Sequence, residues 1–297
     1  MPELPEVETV VRQLAPHLLG RQVAGLAVHT PRIVRCQAIP LAALVGARFA
    51  GVRRRGKFIR CDLVFDEPLN SGLGAPPAGA ATLLVHLRMT GRLMVLDGDP
   101  PRDGHDHIDL RLDDGRLLRF RDVRKFGGWY VLPHDLADGL PPLSQLGPEP
   151  LEISKREFAD LLGGSRGGIK ALLLDQHRLA GLGNIYCDES LFAARIHPET
   201  PSCDVPSARV DALWQHMRRI LRAAIRRQGS TISDFVRPDG RRGGYQDRFR
   251  VYGRSGQPCT TCGRTLQRLI VAGRGTTCCP ACQVRPDKKR RRRKRGA

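Results

Sequence analysis

Two groups of residues in this 297-residue chain have types and spacings that could do chemistry. The first is the opening MPELPEVETV, with Pro2, Glu3 and Glu6 close together. Without Met1, Pro2 would present a secondary α-amine. An α-amine titrates near pH 8, so a usable fraction is unprotonated and nucleophilic at neutral pH. Attack on a sugar's anomeric carbon would give an iminium, which acidifies the neighbouring carbon and opens a path to elimination. Glutamates one and four residues further on could move the protons. A second reading needs no chemistry: Pro2 and Pro5 begin a helix through VETVVRQLAPHLL, and the glutamates complement its dipole. On residue types alone, that reading is the simpler.

The second group is Cys259, Cys262, Cys279 and Cys282, two CxxC pairs separated by sixteen residues. Each pair can turn tightly enough to aim two thiolates at one ion, and two pairs close a tetrahedral zinc site with no water position. The expected cofactor is one structural Zn2+. Cys278 adjoins the second pair, but the two-residue gap favours Cys279 as the ligand. Such a site would hold a β-hairpin too short to make its own core, and the hairpin's loop LIVAGRGTT carries Arg274. The nine cysteines are odd in number and follow no signal-like segment, which argues against a disulfide framework.

Elements able to position these groups follow from the periodicity. KFIRCDLVF, TLLVHLRM and RLMVL are short β-prone runs, and HIDLRLDDGRLLRFRD alternates on both sides of Asp114-Gly115, a hairpin signal. The stretch from about residue 20 to residue 132 is therefore expected to form an antiparallel β-sandwich or barrel, with helices flanking it. The Pro/Gly/Ala-rich insertion at residues 66–80 is expected to be a long loop of no assigned function. After LPPLSQLGPEPLE the pattern turns helical. Ser154 and Glu157 have capping-box spacing ahead of FADLL, then come IKALLLDQHRL and NIYCDESLFAARI. A long helix follows Ser207, with Val210, Leu213, Trp214, Met217, Ile220, Leu221, Ala224 and Ile225 on one core stripe.

Composition narrows the partners. A formal charge of +19 with 41% apolar residues suits a packed protein that attracts polyanions. The tail DKKRRRRKRGA holds eight positive charges and one negative, so most of the excess lies in the body. Residues 284–297 are expected to be a basic disordered tail. No apolar run approaches bilayer-spanning length, which predicts a soluble, cytoplasmic protein without a membrane partner.

The opening PELPEVET resembles that of the bacterial formamidopyrimidine-DNA glycosylases. The resemblance continues in order through RRGKF, HLRMTG, HDH, DVRKFGGW, LGPEPL, IKALLLDQ, GLGNIYCDESLFAARIHP, VYGRSGQPC and the four-cysteine ribbon. It implies an α+β multidomain protein. A catalytic sandwich at 1–133 would be followed by a helix-two-turns-helix domain at 134–236, a lesion-recognition loop at 237–251 and a zinc ribbon at 252–283. The implied activity is a nucleoid-associated, monomeric DNA glycosylase and abasic-site lyase of base excision repair. Its partner would be double-stranded DNA containing an oxidised purine or an abasic site, with the target nucleotide flipped out of the stack.

By the same resemblance Pro2 would be the nucleophile, Glu3 the acid that protonates the opening sugar ring, and Glu6 a support for that proton traffic. Lys57 would serve the first elimination and Arg274 the second. Met89, Arg124 and Phe126 would fill the gap left by the extruded base, while His105, Asn184, Lys170 and Arg166 would contact DNA. GGSRGG around Arg166 departs from the family's more basic stretch. Two other readings stand beside this one. An endonuclease VIII-type enzyme for oxidised pyrimidines typically opens PEGPE, against Leu4 here. A non-catalytic zinc-ribbon nucleic-acid binder would need no reactive amine.

Overall fold

The computed structural model describes residues 1–65, 79–232 and 235–285. The expected loop insertion and basic tail lie almost wholly outside the described residues. The chain forms two compact units, residues 1–146 with 224–246, and residues 147–223 with the segment from 247.

The first unit begins with α1, Leu4–Leu18. Pro5 sits in the first turn, where its missing N–H costs nothing. Val7, Val10, Val11, Leu14 and Leu18 recur at helical spacing, and all are buried. Among the described residues nine strands follow: β1 Val23–Val28, β2 Val34–Gln37, β3 Arg48–Arg55, β4 Phe58–Val64, β5 Ala80–His86, β6 Gly91–Leu96, β7 Asp106–Leu112, β8 Leu117–Asp122 and β9 Gly128–Pro133. They make one sheet in the order β1-β7-β8-β6 and another in the order β2-β9-β5-β4-β3.

Alternate residues of both sheets share one core with α1. Ile59, Cys61 and Leu63 on β4 meet Ala81, Leu83 and Val85 on β5, together with Ile108 and Leu110 on β7 and Phe120 on β8. This is the sandwich that period-two patterning calls for. The expected hairpin forms between β7 and β8, with Gly115 at φ +84° in its turn. One pairing departs from the antiparallel expectation, since the short edge strand β2 runs parallel to β9.

The second unit contains α2 Lys155–Gly163, α3 Ile169–Leu174, α4 Asn184–Ala193 and most of α5 Ser207–Arg226. The predicted capping box is present, with Glu157 N donating to Ser154 Oγ and Ser154 N donating to a Glu157 oxygen. On α5, Val210, Leu213, Met217, Ile220, Leu221 and Ala224 are buried, as the stripe requires. The antiparallel hairpin of β10 Gln267–Val271 and β11 Arg274–Cys278 completes the unit. Its two-residue turn, Ala272 at φ +51° and Gly273 at φ +68°, has the left-handed backbone that matches the strands' twist.

The sequence-drawn boundaries treat residues 134–236 as one helical domain. The structure groups 134–146 and 224–246 with the first unit instead. Long-range bonds account for it: Arg55 Nη2 donates to Leu146 O at 3.0 Å, and Ser230 N donates to Glu6 at 2.7 Å.

Candidate active site and nucleic-acid interface

In the first unit, Pro2 is buried and Glu3 forms the N-cap of α1, only 3% exposed. Glu6, one turn later, accepts a 3.0 Å hydrogen bond from Glu3 N through Oε2. This reciprocal bond fixes the chain at the point where the terminus enters the helix. Lys57 is 5% exposed and sits in the tight β3–β4 turn beside Gly56, whose φ is +57°. Glu8 on α1 pairs at 3.3 Å with Arg54, near the end of β3. That pair brings the N-terminus of α1 and the Lys57 turn to one end of the sheet. His86, opposite Phe58 in the β4–β5 ladder, lies on the same side. Burial, then Arg88 and Lys57, push its pKa down to about 3, so it stays neutral. Its Nδ1 accepts a hydrogen bond from Arg88 N at 3.0 Å.

A second cluster in this unit projects outwards. Met89 and Phe126 are exposed large apolar side chains, and the Arg124 guanidinium stacks on the Phe126 ring. The loop that presents them is pinned by Asp122, a fully buried carboxylate. Its Oδ1 accepts from Arg124 N at 3.3 Å and its Oδ2 from Gly127 N at 2.7 Å; Thr90 Oγ1 also donates to it. Lys125 takes a left-handed φ of +55° to complete the turn. His105 O accepts from Asp122 N at 2.9 Å, so His105 stands at the root of this loop. Sequence reasoning did not single out Asp122; the signal available was an Asp opening a Gly-containing loop directly after a strand.

In the second unit, the four cysteine sulfurs lie within 4.8 Å of one another, with Cys262···Cys279 at 3.5 Å and Cys259···Cys282 at 3.9 Å. Sulfurs about 2.3 Å from a tetrahedral zinc stand about 3.8 Å apart, so the set fits one ion. Backbone N–H groups of Thr261 and Cys282 point at Cys259 Sγ and Cys279 Sγ, each at 3.4 Å, which favours thiolates. Cys278 is not in the cluster. Phe192 of α4, Val251 and Leu266 pack around the site as a small core.

Arg274 is exposed at the start of β11. Asn184 is the first residue of α4, whose N-cap is Gly183, and its Nδ2 donates to Gly275 O at 2.8 Å. Its Oδ1 is buried without a hydrogen bond. Arg166 is exposed. Lys170 corrects an expectation. It is fully buried, with Nζ donating to Asp188 Oδ1 at 2.5 Å and to Thr276 Oγ1 at 2.7 Å. Asp188 Oδ2 in turn accepts from Thr277 N at 3.1 Å. The ammonium is enclosed by these partners and offers nothing to a phosphate; it ties α3 and α4 to the hairpin strand that begins at Arg274.

Residues 1–129 match the formamidopyrimidine-DNA glycosylase N-terminal domain, residues 146–236 the H2TH domain of the same glycosylases, and residues 256–284 the zinc finger found in FPG and IleRS. The formamidopyrimidine-DNA glycosylase of Desulforamulus reducens is 40% identical over 288 residues, covering 95% of this chain and 99% of that protein. The chain belongs to the formamidopyrimidine-DNA glycosylase family. The Symbiobacterium thermophilum member is 42% identical over 97% of this chain and 90% of its own. Among solved members, a complex of Lactococcus lactis Fpg with DNA containing an abasic site superimposes with a TM-score of 0.84 at 35% identity, covering 95% of this chain and all of that one. A complex of the same glycosylase with DNA containing an oxidised pyrimidine gives a TM-score of 0.83 at 36% identity, covering 96% of this chain and 100% of that one. The chain combines antiparallel sheets, a helical unit and a four-cysteine ribbon. Among the described residues, no helix is long and apolar enough to cross a membrane.

Proposed function

We propose that this chain is a bifunctional DNA glycosylase and abasic-site lyase of base excision repair, acting on oxidised purines. The observation that carries the reading is the buried N-terminal turn. It sets a secondary-amine residue, Pro2, one residue before a buried carboxylate, Glu3, at the same end of the sheet as buried Lys57. Family membership at 40% identity over 95% of the chain supports it.

In this reading Met1 has been removed and the Pro2 nitrogen attacks C1′ of the flipped nucleotide. The C1′–N bond to the base breaks and the base leaves with a proton. Glu3 delivers a proton to the ring oxygen as the sugar opens, and the nitrogen lone pair forms the C1′ iminium. Loss of a proton from C2′ then expels the 3′ phosphate, with Lys57 as acid and base. A further proton loss expels the 5′ phosphate, served by Arg274 on the zinc hairpin. Water hydrolyses the remaining iminium and frees Pro2. Burial favours this chemistry because charge develops where water is scarce and fixed donors act more strongly.

Met89, Arg124 and Phe126 would occupy the vacated stack, with the Arg124 guanidinium turning from its ring and thioether contacts to meet the orphaned base. His105, Asn184 and Arg166 would hold phosphates, and residues 237–251 would form the lesion-recognition loop. The protein would act as a cytoplasmic, nucleoid-associated monomer on damaged duplex DNA.

Borohydride trapping on an 8-oxoguanine duplex tests the reading. Wild type should give a covalent adduct, and Pro2→Gly none. Glu3→Gln should lose base excision. A wild type without an adduct overturns the assignment, and faster excision of thymine glycol than of 8-oxoguanine would move it to oxidised pyrimidines.

A further inference from the structure

Glu6 is 1% exposed, and three donors converge on its carboxylate. Ser230 N and Ser230 Oγ reach Oε1 at 2.7 and 2.9 Å, and Glu3 N reaches Oε2 at 3.0 Å. One carboxylate thus joins the N-terminal turn to a segment 224 residues away.

That segment is itself a built strap. Gly229 adopts φ +77°, and a Cβ there would stand 3.0 Å from both Cγ and Oε1 of Glu6. Gly243 packs so closely on it that a Cβ would fall 2.5 Å from Gly229 O. Tyr245 N donates to Gly229 O at 2.9 Å, Gly243 N to Thr231 Oγ1 at 2.9 Å, and Thr231 N to Gln246 Oε1 at 3.0 Å. Only glycine permits both close approaches and the left-handed turn.

We infer that Glu6 is a positioning residue rather than a proton carrier: its carboxylate clamps the bonded pair of stretches Gly229–Thr231 and Gly243–Gln246 to the turn bearing Pro2 and Glu3, and so sets the direction of the amine. The inference rests on the glycosylase reading. Protonating that carboxylate would weaken its hold on all three donors, because an ionised acceptor forms the stronger bonds, and so would loosen the very turn it fixes. Small displacements of a nucleophile are costly, on the order of a hundredfold in rate for about 1 Å.

The test compares Glu6→Gln with Ser230→Ala and Gly229→Ala in single-turnover excision on an 8-oxoguanine duplex across pH, with wild-type trapping as the control. A clamp predicts that Ser230→Ala, which deletes one oxygen, lowers the rate roughly tenfold, and that Glu6→Gln and Gly229→Ala lower it roughly a hundredfold. The limbs of the pH profile should stay in place, and the Glu6→Gln/Ser230→Ala double variant should lose little beyond Glu6→Gln. Hydrogen exchange at the Glu3 amide should accelerate in Ser230→Ala, a readout that requires no catalysis. Near-wild-type excision and exchange in Ser230→Ala, with a shifted pH limb in Glu6→Gln alone, would overturn the clamp and leave the glycosylase reading intact. A wild type that traps no adduct removes both.

Discussion

The Arg124 guanidinium carbon stands 4.8 Å from the centre of the Phe126 ring. The same side chain sends Nη1 to within 3.3 Å of Met89 Sδ. Both apolar partners are exposed, and the backbone that carries Arg124 and Phe126 is held by the buried carboxylate of Asp122. A cation packed against a ring and a thioether forms a preassembled exposed cluster, so the proposed wedge would meet little further ordering cost.

Replacing Phe126 with Ala should therefore weaken binding to a lesion-containing duplex by about 1–3 kcal/mol, the range for losing a stacking platform. Asp122→Ala should weaken it comparably without touching those side chains, because Gly127 N loses its acceptor and Arg124 N keeps only Thr90 Oγ1. Fluorescence anisotropy with lesion and undamaged duplexes measures both, and equal losses on the two duplexes would contradict a wedge role.

Lys170 and Asp188 form a buried ion pair, and removing one partner leaves the other charge uncompensated. Lys170→Met should cost about 3–5 kcal/mol of stability, and adding Asp188→Leu should recover much of it. Urea denaturation of the single and double variants decides. A loss confined to DNA affinity, with stability unchanged, would restore Lys170 to the surface role expected from its sequence position.

His86 gives the stability a pH dependence of known sign. Burial, Arg88 and Lys57 hold its folded pKa near 3, against an ordinary 6.5. The unfolded chain binds a proton that the folded protein refuses, so this contribution is complete above pH 6.5 and is lost as pH falls towards 3. The slope approaches about 1.4 kcal/mol per pH unit inside that window. His86→Gln should flatten the thermal midpoint between pH 6 and pH 4, and an unchanged slope would assign the acid sensitivity elsewhere.

The zinc site should bind one equivalent of metal. Cys259→Ser or Cys282→Ser should reduce the content sharply, whereas Cys278→Ser should retain it, because Cys278 lies outside the sulfur cluster. Elemental analysis after dialysis against a chelator gives the counts. Metal loss should also release the Asn184–Gly275 bond and the Lys170–Thr276 bond, since both end on the hairpin.

Much of this was legible in the residues. β-prone runs marked β4, β5 and β6, alternation marked β7 and β8 with a real hairpin at Asp114-Gly115, and the α5 stripe is core except for half-buried Trp214 and Ile225. The two CxxC pairs specify a closed site wherever they fold together. What stayed hidden depends on distance along the chain. Nothing local distinguishes a lysine facing a phosphate from one sealed against Asp188, and both readings of Lys170 fit IKALLLDQ equally. The return of residues 224–246 to the first unit likewise rests on contacts such as Ser230 with Glu6, which no periodicity announces. The parallel pairing of β2 escaped for the same reason, because a short edge strand carries little pattern of its own.

The Glu6–Ser230 bond joins residues 224 positions apart. Closing so long a loop is entropically costly and slow compared with local pairing. A chain still being synthesised therefore has its N-terminal turn long before Ser230 can dock on Glu6, and a product truncated ahead of Ser230 would keep that turn without its distant partner.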